Sequence, residues 1–148
     1  MTQNWGIGCE NHIKVKRVND ALKSNSLDTW FDEQELSGDL QKQMTEGVEN
    51  SSVIVVFITE AYYQKVNYGT SLDNCRYEFK HAFNKKGSEC MIPIVMEASM
   101  RNQRNWSGEL GAALGSSLFI DFSEAFNDDA IFDQKMKELI TRIAALSP

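Results

Sequence analysis

The chain has 148 residues, 42% apolar and 24% charged, which suits one soluble domain (1–148) with a sizeable core. A net charge of −6 argues against a nucleic-acid-binding domain, which needs a basic stripe, and against an anionic membrane surface. Cys9, Cys75 and Cys90 are an odd number at irregular spacing, so they argue against a disulfide framework and for a reducing, cytoplasmic setting. No stretch reads as a signal peptide or membrane-inserting span.

Residues 1–9 are small and polar and read as a loop. From Glu10 to Asn25, Val15, Val18 and Leu22 recur at +3 and +4, with Lys14, Lys16, Arg17 and Lys23 outside that stripe; this predicts an amphipathic helix. Leu27–Asp32 reads as a short strand and is followed by an acidic loop, Glu33-Gln-Glu-Leu-Ser-Gly38. Asp39 is a suitable N-cap for a second helix reaching about Asn50, with Leu40, Met44 and Val48 inward.

Ser52–Thr59, Ser-Val-Ile-Val-Val-Phe-Ile-Thr, is the one continuous apolar run. Its length and β-branched content predict a strand buried on both faces, the kind found in parallel sheets covered by helices. Thr59 is expected to cap a short helix from Glu60 to about Val66. A third helix is expected over about Leu72–Lys85, with Cys75, Phe79, Ala82 and Phe83 inward. Met91–Glu97 is a second buried strand, in which Pro93 must sit near the start or beside a gap in the ladder, because it has no N–H. Ser99–Ser116 reads as irregular, Leu118–Phe122 as the last strand and Ile131–Leu146 as the closing helix.

Alternating helices and strands of this kind predict an open α/β sheet with right-handed crossovers, flavodoxin-like, with helices on both faces. Ligand sites in such sheets lie beyond the carboxyl ends of the strands. Those ends are followed by Asp32–Gly38, Thr59–Tyr63, Glu97–Trp106 and Asp121–Ala125.

Other motifs are weak. Gly6-Ile-Gly8 lacks the preceding strand and third glycine of a dinucleotide turn. Cys9-x-x-His12, even joined by Cys75 and His81, lacks the paired spacing of a zinc site, so no metal is expected. No phosphate-binding loop or nucleophile elbow is present. A phospho-receiver domain would need an aspartate where Ile58-Thr59 stands.

Four segments, taken in order, resemble the TIR (Toll/interleukin-1 receptor) domain family over nearly the whole chain. They are Thr29–Asp39 (Thr-Trp-Phe-Asp-Glu-Gln-Glu-Leu-Ser-Gly-Asp), Ser51–Thr59, Asp73–Glu78 (Asp-Asn-Cys-Arg-Tyr-Glu) and Met91–Val95. The first is similar to the family's second strand and BB loop, the second to its third strand, and the third to the start of the helix carrying the glutamate of NAD-cleaving members. The chain departs from the family in three places. The family's first strand, central in the order 2-1-3-4-5, precedes an Asn-Trp-Gly-like turn; here only Met1, Thr2 and Gln3 precede Asn4-Trp5-Gly6, so that strand looks cut short or missing. Asn74 stands where many catalytic members have tryptophan, and Ser37 where the loop proline is usual.

The resemblance implies an intracellular signalling domain, with NAD as substrate rather than cofactor. Cleaving the nicotinamide–ribose bond passes through an oxocarbenium-like state, which a carboxylate can stabilise. Glu78 is the candidate, although a helix glutamate is ordinarily solvated. Trp5, Gly6, Trp30, Phe31, Asp32, Asn74 and Cys75 are the candidate substrate-binding residues, with Trp5 or Trp30 stacking on a ring and Phe31 and Asp32 at the rim. Lys42, Arg101 and Arg104 are loose candidates for phosphate contacts. The family's enzymes act when self-assembled, which implies homotypic association. Glu33, Glu35, Leu36, Ser37 and Gly38 would form the association loop. The other reading of the resemblance is an adaptor that binds TIR domains through this loop without turnover.

Overall fold

The computed structural model describes residues 2–3, 9–27, 49, 52–69 and 74–146, with 2–3, 9–12 and 74–75 described by backbone alone. Among the described residues four parallel strands, β1 (Thr2–Gln3), β2 (Ile54–Ile58), β3 (Met91–Val95) and β4 (Ile120–Asp121), form one sheet in the order β1-β2-β3-β4. Between and beside them run α1 (Cys9–Ser24), α2 (Glu60–Tyr68), α3 (Asn74–Lys86), α4 (Gly108–Leu114) and α5 (Asp129–Leu146).

β2 carries the pleat's alternation although every one of its side chains is buried. Val53, Val55 and Phe57 join Val15, Val18 and Leu22 of α1 and Phe132, Met136, Leu139 and Ile143 of α5 in one core. Ile54, Val56 and Ile58 face the other way, against Tyr62 and Val66 of α2, Phe79 and Ala82 of α3, and Leu110 and Leu114 of α4. The α/β sandwich with helices on both faces is therefore as expected.

Within residues 1–9, expected as a loop, Thr2–Gln3 form a strand, so the first strand is short and present. Thr2 pairs with Val55 and Gln3 with Val56, in parallel. Such pairing uses backbone N–H and C=O groups, so it leaves no hydrophobic signature in a two-residue strand. The expected strand at 27–32 and most of the expected helix at 39–50 lie outside the described residues. Leu27 is described, and its N–H reaches back to Leu22 O (3.1 Å) as α1 ends.

Pro93 stands mid-strand, opposite Val56. Met96 N donates to Ile58 O and Phe122 N to Val95 O. In a parallel ladder alternate residues face alternate neighbours, so Pro93 shares Val95's side, toward β4. β4 pairs only from Ile94 onward, and the missing N–H therefore falls ahead of the ladder.

Three further expectations change. The stretch 99–116 contains α4 and two single-turn 3-10 helices, Ala98–Met100 and Gln103–Asn105. α4 is short and contains Gly108 and Gly111, which disfavour a helix in isolation; packing holds it. A Cβ on Gly111 would lie 2.3 Å from Trp106 O, so only glycine allows that approach. Phe83, expected inward, is 39% exposed, at a cleft it lines with Phe79 of α3 and Ala112 and Ala113 of α4. The last strand is trimmed to Ile120–Asp121.

Candidate active site

Thr59 follows β2, and its hydroxyl accepts a hydrogen bond from Tyr62 N (3.0 Å), the expected cap of α2. The next N–H, that of Glu60, donates to Glu97 Oε1 at 2.6 Å. The N-terminus of α2 is thus satisfied by a hydroxyl from its own chain end and a carboxylate from the end of β3. That carboxylate sits where the helix dipole favours negative charge.

Beyond β3 and β4 a second polar cluster forms. Arg101 Nε lies 2.8 Å from Ser123 Oγ and 3.2 Å from Asp121 Oδ2, and its Nη2 lies 3.3 Å from Glu124 Oε1. Two carboxylates already engage this cation, so its charge is committed within the protein and a phosphate would have to displace them. Arg104 is exposed. Trp106 is buried, with Nε1 donating to Met100 O (3.0 Å), so its indole belongs to the core.

Glu78 lies in the second turn of α3. Its neighbour Phe79 packs edge-on against Tyr62 of α2, with ring centroids 6.4 Å apart. Glu78 is 1% exposed, among the few charged or polar side chains that are buried with the core. This differs from the solvated state usual for a helix glutamate. A carboxylate withdrawn from water to this degree is costly unless local polar groups hold it, and such groups are candidates for chemistry.

The outer side of α3 differs. A cleft of about 440 Å³ is lined by Gly69, Arg76, Tyr77, Lys80, His81 and Asn84, and Glu78 is not among them. The His81 ring stacks on Tyr77, with centroids 6.2 Å apart, and its Nε2 lies 3.7 Å from Glu49 Oε1. Lys86 Nζ donates to Glu49 O (3.1 Å). Among the described residues no group of three or more His, Cys, Asp or Glu side chains could hold a metal ion.

The other expected site residues divide simply. Asn74 and Cys75 open α3, just ahead of Glu78, with their backbone described. Trp5, Gly6, Trp30, Phe31, Asp32 and Lys42 lie outside the described residues, as do the loop residues Glu33, Glu35, Leu36, Ser37 and Gly38. Two contacts that shape the site left no trace in sequence spacing: Glu97 onto Glu60, and Arg76 onto Glu109 (Nη2 to Oε1, 2.7 Å). Both join residues more than thirty positions apart.

A parallel sheet with helices on both faces is the fold the resemblance leads one to expect. The family model described as TIR domain matches residues 10–140. The chain belongs to the TIR domain family. This is a family of signalling domains that includes members cleaving NAD. No curated protein and no solved structure matches the chain. Among the described residues no helix is long and apolar enough to cross a membrane.

Proposed function

We propose that this TIR domain hydrolyses NAD to nicotinamide and ADP-ribose, in linear or cyclised form, with Glu78 as the residue that stabilises the reacting ribose. The observation that carries the reading is the burial of Glu78 at 1% exposure on a helix whose other charged side chains reach solvent. Withdrawn from bulk water, a carboxylate acts on developing positive charge through a lower effective dielectric. The nicotinamide–ribose bond breaks with its electron pair going to the nicotinamide nitrogen. A positive charge then spreads over the ribose ring until water, or an adenine nitrogen in a cyclised product, supplies the new bond.

Asn74 and Cys75 precede Glu78 by one helical turn and are proposed to line the substrate side, together with Trp5, Gly6, Trp30, Phe31 and Asp32. Association through Glu33, Glu35, Leu36, Ser37 and Gly38 is proposed to assemble the active form in the cytoplasm.

The experiment is nicotinamide release from NAD, followed by chromatography over a range of protein concentrations. Release that rises more steeply than protein concentration and is lost in Glu78→Ala supports the reading. No release at any concentration, or equal release from Glu78→Ala, overturns it. The second reading is an adaptor without turnover, favoured by Asn74 at the position where many catalytic members have tryptophan. It predicts self-association with no nicotinamide at all.

A further inference from the structure

Arg76 ties three helices together. Its Nη1 lies 3.4 Å from Val66 O, 3.3 Å from Asn67 O and 3.1 Å from Gly69 O. Its Nη2 donates to Glu109 Oε1 at 2.7 Å. The first three acceptors are carbonyls at the end of α2, where the helix leaves C=O groups unsatisfied and its dipole favours a cation. The fourth acceptor is a carboxylate in the first turn of α4.

These receiving groups are themselves fixed. Asn67 Nδ2 donates to Ser107 O (2.9 Å), and Asn67 Oδ1 accepts from Leu110 N (3.0 Å). Tyr63 Oη lies 2.7 Å from Ser107 Oγ and accepts from Ser107 N at 3.0 Å. Arg76 therefore docks the first turns of α3 onto a cross-braced pair of helices.

Residues two apart on an α-helix project to nearly opposite sides. Arg76 grips the flank of α3 that faces α2 and α4, while Glu78, two residues on and nearly half a turn round the helix, is buried. Fixing the guanidinium fixes the rotation and height of the helical turns from which Glu78 projects. We infer that Arg76, through its fork onto the α2 carbonyls and Glu109, is a positioning residue for the Glu78 carboxylate. The inference rests on the reading of Glu78 given above. A lysine cannot reproduce the grip, because a point charge lacks the planar, divided donor set.

The test uses the full chain, with Arg76→Lys and, should that variant fail to fold, Glu109→Gln, which removes the charge that Arg76 and Lys80 share (Lys80 Nζ to Oε1, 3.9 Å). Two readouts are taken. The first is the titration of the Glu78 carboxyl carbon by NMR, assigned with Glu78→Gln. The second is kcat and KM for nicotinamide release. The expected result is a displaced Glu78 titration with kcat lowered about tenfold to a hundredfold and KM changed less than about twofold, as misplacement of a reacting group produces. An unmoved titration overturns the inference whether or not NAD is cleaved. So does a moved titration with unchanged kcat. Absence of turnover in the unsubstituted protein overturns the NAD reading alone, and the titration then decides the role of Arg76.

Discussion

Glu97 Oε1 accepts a 2.6 Å hydrogen bond from the backbone N–H of Glu60, joining the end of β3 to the start of α2. The contact satisfies an N–H that α2 cannot pair internally and places negative charge at the positive end of the helix. Glu97→Ala is expected to cost about 1 kcal/mol in urea denaturation, and Glu97→Gln less, because the amide keeps an acceptor. Equal stability of all three proteins would show that the contact contributes nothing.

Ser26 has φ of 65°, the only non-glycine residue in the left-handed region among the described residues. It ends α1, where Ser26 N donates to Lys23 O (3.0 Å) and Leu27 N to Leu22 O (3.1 Å). Glycine adopts this conformation without the Cβ clash that costs an L-residue about 1–2 kcal/mol. Ser26→Gly should therefore stabilise the domain by up to about 1 kcal/mol after the glycine's greater unfolded entropy is set against the relief. A fall in the midpoint of thermal unfolding would contradict this.

Gly108 is the converse case. Its φ is 66°, and a Cβ there would lie 2.6 Å from Asn67 Cγ. Gly108→Ala should displace the Asn67 side chain, break its bonds to Ser107 O and Leu110 N, and destabilise the domain by more than about 1 kcal/mol. Chemical denaturation measures the loss; an unchanged midpoint would mean that α4 tolerates the shift.

Trp106→Phe keeps most of the buried ring against Phe119 but leaves Met100 O without its indole donor. The expected cost is about 1–3 kcal/mol, the penalty of an unsatisfied buried acceptor. If the variant matched the parent protein in stability, water must replace the indole N–H.

Much of this architecture was legible in the residues. The Val15–Val18–Leu22 stripe, the β-branched run of β2 and the apolar run of β3 set the layers, because burial on a helix stripe or on both faces of a strand leaves a periodic or continuous signature. Thr59 announced the start of α2 through its capping chemistry. β1 could not be read, since two residues paired through backbone alone carry no pattern. α4 was hidden by its glycines, whose role is to allow close approach to Trp106 O and to leave room for Asn67. The candidate carboxylate was chosen by resemblance; its burial was not readable, because a glutamate on a helix looks the same in sequence whether it faces water or the core. Arg76 and Glu109 meet across three helices, and nothing in their spacing foretells it.

Catalysis is assigned to the carboxyl group of Glu78, and the most direct measurement replaces that group with its neutral isostere. NAD is incubated with concentrated protein and with Glu78→Gln at the same concentration, the two matched for folding by circular dichroism, and free nicotinamide is quantified over time. Steady release by the parent protein is expected, with a loss of at least about a hundredfold in the variant, the scale of removing one group that stabilises transition-state charge. Equal rates from both, or none from the parent protein, would contradict that assignment.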